Sequence, residues 1–162
     1  KFDQLEKVGD VFNVDDVFCC LGTTIKKAKT KEDFRKVDYG YVLKAGELSK
    51  QHQVKRFIIV SSVGANPKST IFYSKVKGEI EKSLKALKLP SLIIVRPSLL
   101  LGKREEFRFG EKLASWVTPL FKWGLIGPLK KYRPVKAKKV AQKMIEVAHS
   151  NLSGTNLIEG SF

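Results

Sequence analysis

Metal and disulfide chemistry find little to work with in this sequence. It has two cysteines, Cys19 and Cys20, and two histidines, His52 and His149. Adjacent cysteines have Cα atoms about 3.8 Å apart, too close for relaxed disulfide geometry. They lie inside an apolar run, where small buried residues are expected, and the histidines complete no metal-ligand cluster. No apolar run has the length of a bilayer-spanning helix, and no signal-peptide pattern opens the chain. The expectation is a cytoplasmic protein with no membrane attachment. None of the 12 glycines falls in a G-x-x-G-x-x-G or G-x-G-x-x-G pattern.

Acidic residues are also scarce. Asp and Glu number 16 against 31 Lys and Arg, a formal charge of +15 over 162 residues. Such a field attracts anions: phosphate-bearing cofactors, acidic substrates, nucleic acid. The charge is mostly lysine scattered along the chain, with no nucleic-acid-binding motif beside it, so specific nucleic-acid binding is not expected. Hydrophobic residues make up 43%, enough for one globular domain with a core.

Hydrophobic spacing predicts a helix over 1–13, with Phe2, Leu5, Val8 and Phe12 on one face. Val14 to Leu21 reads as a strand buried on both faces, running into Gly22-Thr23-Thr24. Lys31 to Gln51 reads as a helix through Phe34, Val37, Tyr41, Ala45 and Leu48. Arg56 to Ser61 is a second buried strand, and Ser62 to Thr70 a loop. Ile71 to Lys88 is a helix with core face Phe72, Val76, Ile80, Leu84 and Leu87. Ser91 to Leu101 is a third strand, expected to lose regularity near Val95 because Pro97 lacks a ladder donor. Beyond it come an amphipathic stretch, Glu111 to Lys122, and a loop, Gly124 to Pro134. A last helix, Lys136 to His149, and a closing strand, Thr155 to Ile158, complete the pattern. Alternation of apolar strands and helices predicts an α/β fold with a doubly wound parallel sheet. Ligands of such sheets bind beyond the strands' carboxyl ends. Here those ends carry Gly22-Thr23-Thr24, Ser61-Ser62 and Arg96-Pro97-Ser98.

Tyr73 and Lys77 sit four apart on the 71–88 helix and so share a face. The spacing alone is a weak signal, since about half a match is expected by chance. Tyr132 and Lys136 match too, but Pro134 between them rules out an interior helical turn. Tyr73 and Lys77 lie about 100° round from Phe72 and Val76, at the border of the apolar stripe, where a side chain can reach a cleft. A lysine beside a phenol favours phenolate and helps it exchange protons near neutral pH. Ser62 can hydrogen-bond a carbonyl oxygen and steady it against the tyrosine. The competing reading is a plain helix tyrosine and one more surface lysine.

Taken together, four stretches resemble the short-chain dehydrogenase/reductase superfamily, in its atypical NAD(P)-binding branch. They are Phe18 to Thr24 (FCCLGTT), Ile58 to Gly64 (IIVSSVG), Tyr73 to Glu79 (YSKVKGE) and Arg96 to Leu100 (RPSLL), and they are most like the Tat-interacting-protein group of oxidoreductases. The resemblance implies a Rossmann-like, epimerase-like fold that binds a nicotinamide dinucleotide. It implies Tyr73 as catalytic acid/base, Lys77 as its modulator and a holder of the nicotinamide ribose, and Ser62, rather than Ser61, as the catalytic serine. Leu21, Gly22 and Thr23 match the loop beside the adenine ribose and pyrophosphate. Arg96, Pro97 and Ser98 match the segment beside the nicotinamide.

The family's first strand, glycine-rich turn, first helix and second strand should precede Lys1. The expectation is a single NAD(P)-binding domain over 1–162, lacking that first unit. Such a chain should be poorly stable, or pair its open edge with another copy as a homodimer. The resemblance supports an NAD(P)H-dependent oxidoreductase acting on a small carbonyl or alcohol, with NADP(H) favoured over NAD(H) by the net charge. The alternative is a non-catalytic dinucleotide-binding regulator acting through a protein partner.

Overall fold

The computed structural model describes residues 2–98, 100–101 and 134–160. Among the described residues, four parallel strands form the main sheet: β1 (Asp16–Cys19), β2 (Arg56–Val60), β3 (Ser91–Pro97) and β6 (Gly154–Gly160), in the order β1-β2-β3-β6. A second, two-stranded parallel sheet pairs β4 (Leu100–Leu101) with β5 (Val135–Lys136). The helices are α1 (Ile25–Ala28), α2 (Lys31–Arg35), α3 (Val42–Gln51), α4 (Phe72–Ala86) and α5 (Ala137–Ala148). The chain is therefore α/β with a parallel sheet, as its alternating pattern predicts.

The continuous apolar strands are explained by helices on both faces of the sheet. Phe57, Ile59, Leu92 and Ile94 point to one face, where Val42, Leu48, Ile80 and Leu84 of α3 and α4 cover them. Ile58, Ile93 and Val95 point to the other, against Val140, Met144 and Val147 of α5. Alternate residues of one strand thus serve two cores, so no polar position interrupts the run. β1 departs from this pattern. It is an edge strand, its Phe18 is exposed, and Cys20 just beyond it is exposed rather than buried.

The first segment is a 3-10 helix, Phe2–Phe12, kinked at Gln4 and Val8, rather than a regular α-helix. Only Leu5 and Phe12 of its expected face are buried, while Phe2 and Val8 are exposed. The single helix expected over 31–51 is three pieces: α2, a π-helical stretch Lys36–Tyr41, and α3. The starts of α1 and α2 are set by threonines. Thr24 Oγ1 accepts from the Lys27 N–H at 3.1 Å, and Thr30 Oγ1 accepts from the Asp33 N–H at 3.0 Å, the usual way to satisfy orphan donors at a helix start.

β3 runs to Pro97, two residues past the expected break. Proline removes one donor but keeps its carbonyl, and Pro97 O accepts from the Val63 N–H at 3.1 Å while β6 pairs along the other side. β6 is likewise longer than the expected 155–158. The amphipathic stretch 111–122, residues 124–133 of the next loop, and Tyr132 with them lie outside the described residues.

Candidate active site

The carboxyl ends of β1, β2 and β3 open at one end of the sheet and deliver the residues singled out by sequence. β1 leads into Leu21, Gly22 and Thr23, all half-buried. β2 leads into Ser61 and Ser62, both buried, and β3 into Pro97 and Ser98, also buried. The Ser61 N–H donates to Val95 O at 2.7 Å, tying the end of β2 to the end of β3.

Lys77 is not a surface lysine. Its side chain is 3% exposed and its Nζ lies 2.8 Å from Asp38 Oδ1, itself on a side chain 1% exposed. The other oxygen, Asp38 Oδ2, accepts from the Thr23 N–H at 2.7 Å. One carboxylate therefore links the loop after β1 to the lysine on α4. Both charges are thus paired in the interior, where a lone charge would be costly.

Tyr73, half-buried one turn earlier on α4, packs its ring 5.9 Å from that of Phe34. Ser62 sits at the start of the loop that leads back to α4, and its Oγ donates to Val63 O at 3.2 Å. That loop is pinned where it crosses the helix: the Asn66 N–H donates to Ser74 O at 3.0 Å, beside Gly78. Gly78 is in the YSKVKGE stretch because a backbone passes over it, a packing demand rather than a chemical one.

Arg96 is held by the protein itself. Its Nε and Nη2 donate to the two oxygens of Glu81 at 2.9 and 2.6 Å, and Nη1 lies 3.5 Å from Glu159. Glu81 is 2% exposed and also accepts from Ser61 Oγ at 2.5 Å. The Glu81 carboxylate raises the guanidinium's pKa and holds it charged. The side chain that the resemblance assigns to cofactor contact is thus an internal brace between β3, α4 and β6.

Sequence reasoning missed Asp38 and Glu81. Glu81 had a signal, since Tyr73, Lys77 and Glu81 recur every fourth residue on one helix face. Asp38 had the same spacing, four residues after core Phe34, but an acid on a helix reads as solvated until its buried partner Lys77 is seen. Buried Cys19 lies beneath this region, and burial pushes its thiol up to about 11, against the opposing influence of the Leu21 backbone and Lys77. Among the described residues no group of His, Cys, Asp and Glu is arranged to hold a metal ion.

A parallel sheet covered on both faces, with these strand ends gathered at one end, defines a class, the Rossmann-like α/β folds. Solved structures of that class overlay on this chain. MoeE5 in complex with UDP-glucuronic acid and NAD matches at a TM-score of 0.72 and 14% identity, over 97% of this chain and 60% of that one. The dTDP-4-dehydrorhamnose reductase of Bacillus anthracis in complex with NADP matches at 0.65 and 16%, over 100% and 62%. At these identities the likeness is one of fold. The chain itself belongs to the HIM1 family, whose model matches residues 2–121. Protein HTATIP2 of Rattus norvegicus is 45% identical over 114 residues, 70% of this chain and 47% of the relative. The mitochondrial protein FMP52 of Lodderomyces elongisporus is 37% identical over 135 residues, 83% and 56%. The chain spans about half the length of the curated relatives it matches. The expectation of a cytoplasmic protein does not stand, because several of the yeast relatives are named as mitochondrial proteins. Composition carries no address for either compartment, which is why it misled.

Proposed function

We propose that this protein is a mitochondrial NAD(P)H-dependent oxidoreductase of the short-chain dehydrogenase/reductase type, moving hydride to or from a small carbonyl or alcohol. The observation that carries the reading is the burial of Lys77. Lys75, Lys82, Lys85 and Lys88 on and just after the same helix are exposed, whereas Lys77 is 2% exposed and faces Asp38. Burying an ammonium is costly unless it is paired, and a surface lysine has no need of it. At the carboxyl ends of parallel strands, a buried cation beside half-buried backbone at Leu21, Gly22 and Thr23 suits a ligand carrying hydroxyls and phosphates. The net charge of +15 favours NADP(H) over NAD(H).

In this reading the dinucleotide supplies or accepts the hydride. The chain's own groups manage the proton and the charge. Tyr73 gives its phenolic proton to the substrate oxygen as negative charge builds there, or takes it back in the reverse direction. Ser62 turns its hydroxyl from Val63 O to the same oxygen. Lys77, held by Asp38, offers donors to ribose hydroxyls. Pro97 and Ser98 are the residues that would flank the nicotinamide.

The bond of the Ser62 hydroxyl to Val63 O favours a second reading, a dinucleotide-binding regulator that performs no chemistry. Titration of the full-length protein with NADPH, followed by fluorescence, tests the shared part of both readings, and absence of binding defeats both. Tyr73→Phe then separates them. An enzyme loses turnover by about 10²-fold or more while keeping its cofactor; a regulator keeps its partner binding and shows no turnover to lose.

A further inference from the structure

We propose that Phe34 is the positioning residue for Tyr73: its buried ring steadies the first turn of α4, and with it the phenol, for proton transfer. This rests on the oxidoreductase reading above and adds a residue that the motif-bearing stretches do not contain.

Three observations carry it. Phe34 is fully buried, yet it belongs to neither of the cores that cover the sheet's two faces. Its ring meets two others, both on the first turn of α4. The Phe72 ring lies 5.5 Å away between centroids at 58°, and the Tyr73 ring 5.9 Å away at 60°. Tilted contacts of this kind set the orientation of a ring as well as its distance. Secondly, that turn starts without a side-chain cap. Ile71 holds the N-cap position, 62% exposed, and has no side-chain oxygen to accept from the first amides. Tyr73, the second residue of the helix, therefore stands where helices fray. Thirdly, Phe34 is itself well held. Thr30 caps α2 just before it, Lys31 Nζ lies 5.5 Å from the centroid of the Phe72 ring, and Arg35 pairs with Glu79. The segment carrying Phe34 is thus fastened to α4 on both sides of the ring.

Lys77 does not share this dependence. It lies one turn further along α4 and has its own buried partner in Asp38. Loss of the Phe34 ring should therefore disturb the tyrosine and spare the lysine.

The test uses full-length Phe34→Leu, which keeps an apolar side chain and loses the ring, below its melting temperature. The probes are NADPH affinity and the single-turnover rate of NADPH oxidation with isatin, a small dicarbonyl. The rate should fall about tenfold or more, since a shift of about 1 Å can cost about 10²-fold, while NADPH affinity is unchanged. Adding Ile71→Ser supplies a neutral capping hydroxyl and should recover much of the rate. Amide hydrogen exchange gives a readout that needs no substrate. The Lys75 amide, which donates to Ile71 O at 2.9 Å and closes the first turn, should exchange faster in Phe34→Leu and slow again with Ile71→Ser. A wild-type rate or unchanged Lys75 exchange in folded Phe34→Leu overturns the proposal. So does a loss shared by NADPH affinity or left unrecovered by the serine, because Phe34 would then act as plain core. If Phe34→Leu does not fold, Phe34→Met fills more of the space and should show the same split, and a wild-type rate in it overturns the proposal. A wild-type protein that binds no dinucleotide, or binds it and reduces no isatin, defeats the oxidoreductase reading instead, while the exchange measurement still decides the role of Phe34.

Discussion

A β-carbon on Gly78 would lie 2.2 Å from the amide nitrogen of Pro67. The obstacle is backbone, so nothing can rotate aside. Gly78→Ala must therefore lift the 62–70 loop off α4 and lengthen the bond from the Asn66 N–H to Ser74 O. Overpacking of this kind costs about 1–3 kcal/mol. Because the loop begins at Ser62, turnover should fall further than stability does. Thermal melts and kinetics on one preparation check this, and full activity with an unchanged melt would show that the loop has room to move.

The Glu81 and Arg96 brace should behave as a buried pair. Glu81→Gln leaves Arg96 one neutral acceptor and, as its charged partner, only the more distant Glu159, and should destabilise by about 3 kcal/mol. Replacing both, Glu81→Leu with Arg96→Met, should recover much of that loss, since two apolar side chains leave no charge stranded. Urea unfolding of the two single variants and the double variant measures the coupling, and strictly additive losses would contradict it.

Cys19 makes alkaline stability predictable. Its thiol is raised from 9.0 to about 11 by burial, so the folded state holds the proton more tightly than the unfolded chain. The stabilisation is complete below pH 9 and is lost as pH rises towards 11, about 2–3 kcal/mol across that window. Cys19→Ala removes this dependence. The difference in unfolding free energy between wild type and Cys19→Ala should therefore shrink between pH 8 and pH 10.5. In alkylation, exposed Cys20 should react well before buried Cys19.

The parallel sheet and the strand ends were legible because they depend on composition alone: a strand buried on both faces must be apolar throughout. α4 was legible for a similar reason, with Val76, Ile80 and Leu84 buried at helical spacing. The identity of Lys77 as a buried residue was not legible, since its partner lies 39 positions upstream and lysines elsewhere on the helix are solvated. The exposure of Phe18 was hidden too: it has the sequence of a core residue and lies exposed on β1, at the edge of the described sheet.

The expected helix over 31–51 placed Val37 and Tyr41 inward, but the buried residues are Phe34, Asp38, Val42 and Ala45. From 34 to 42 a regular helix would drift about 80° off that line. The wide turn at Lys36–Tyr41 absorbs the drift. Its consequence is a spare residue. Without exposed Gly40, Phe34 and Val42 stand seven apart, about 20° from one line in a regular helix, so the turn should relax to an ordinary helical one with α3 still in phase against the sheet. A deletion inside α3 instead turns the rest of that helix by about 100° and should lower the melting temperature far more. A stretch that tolerates a change of length would thus lie directly before one that does not, and paired deletions compared by thermal melts would measure the difference.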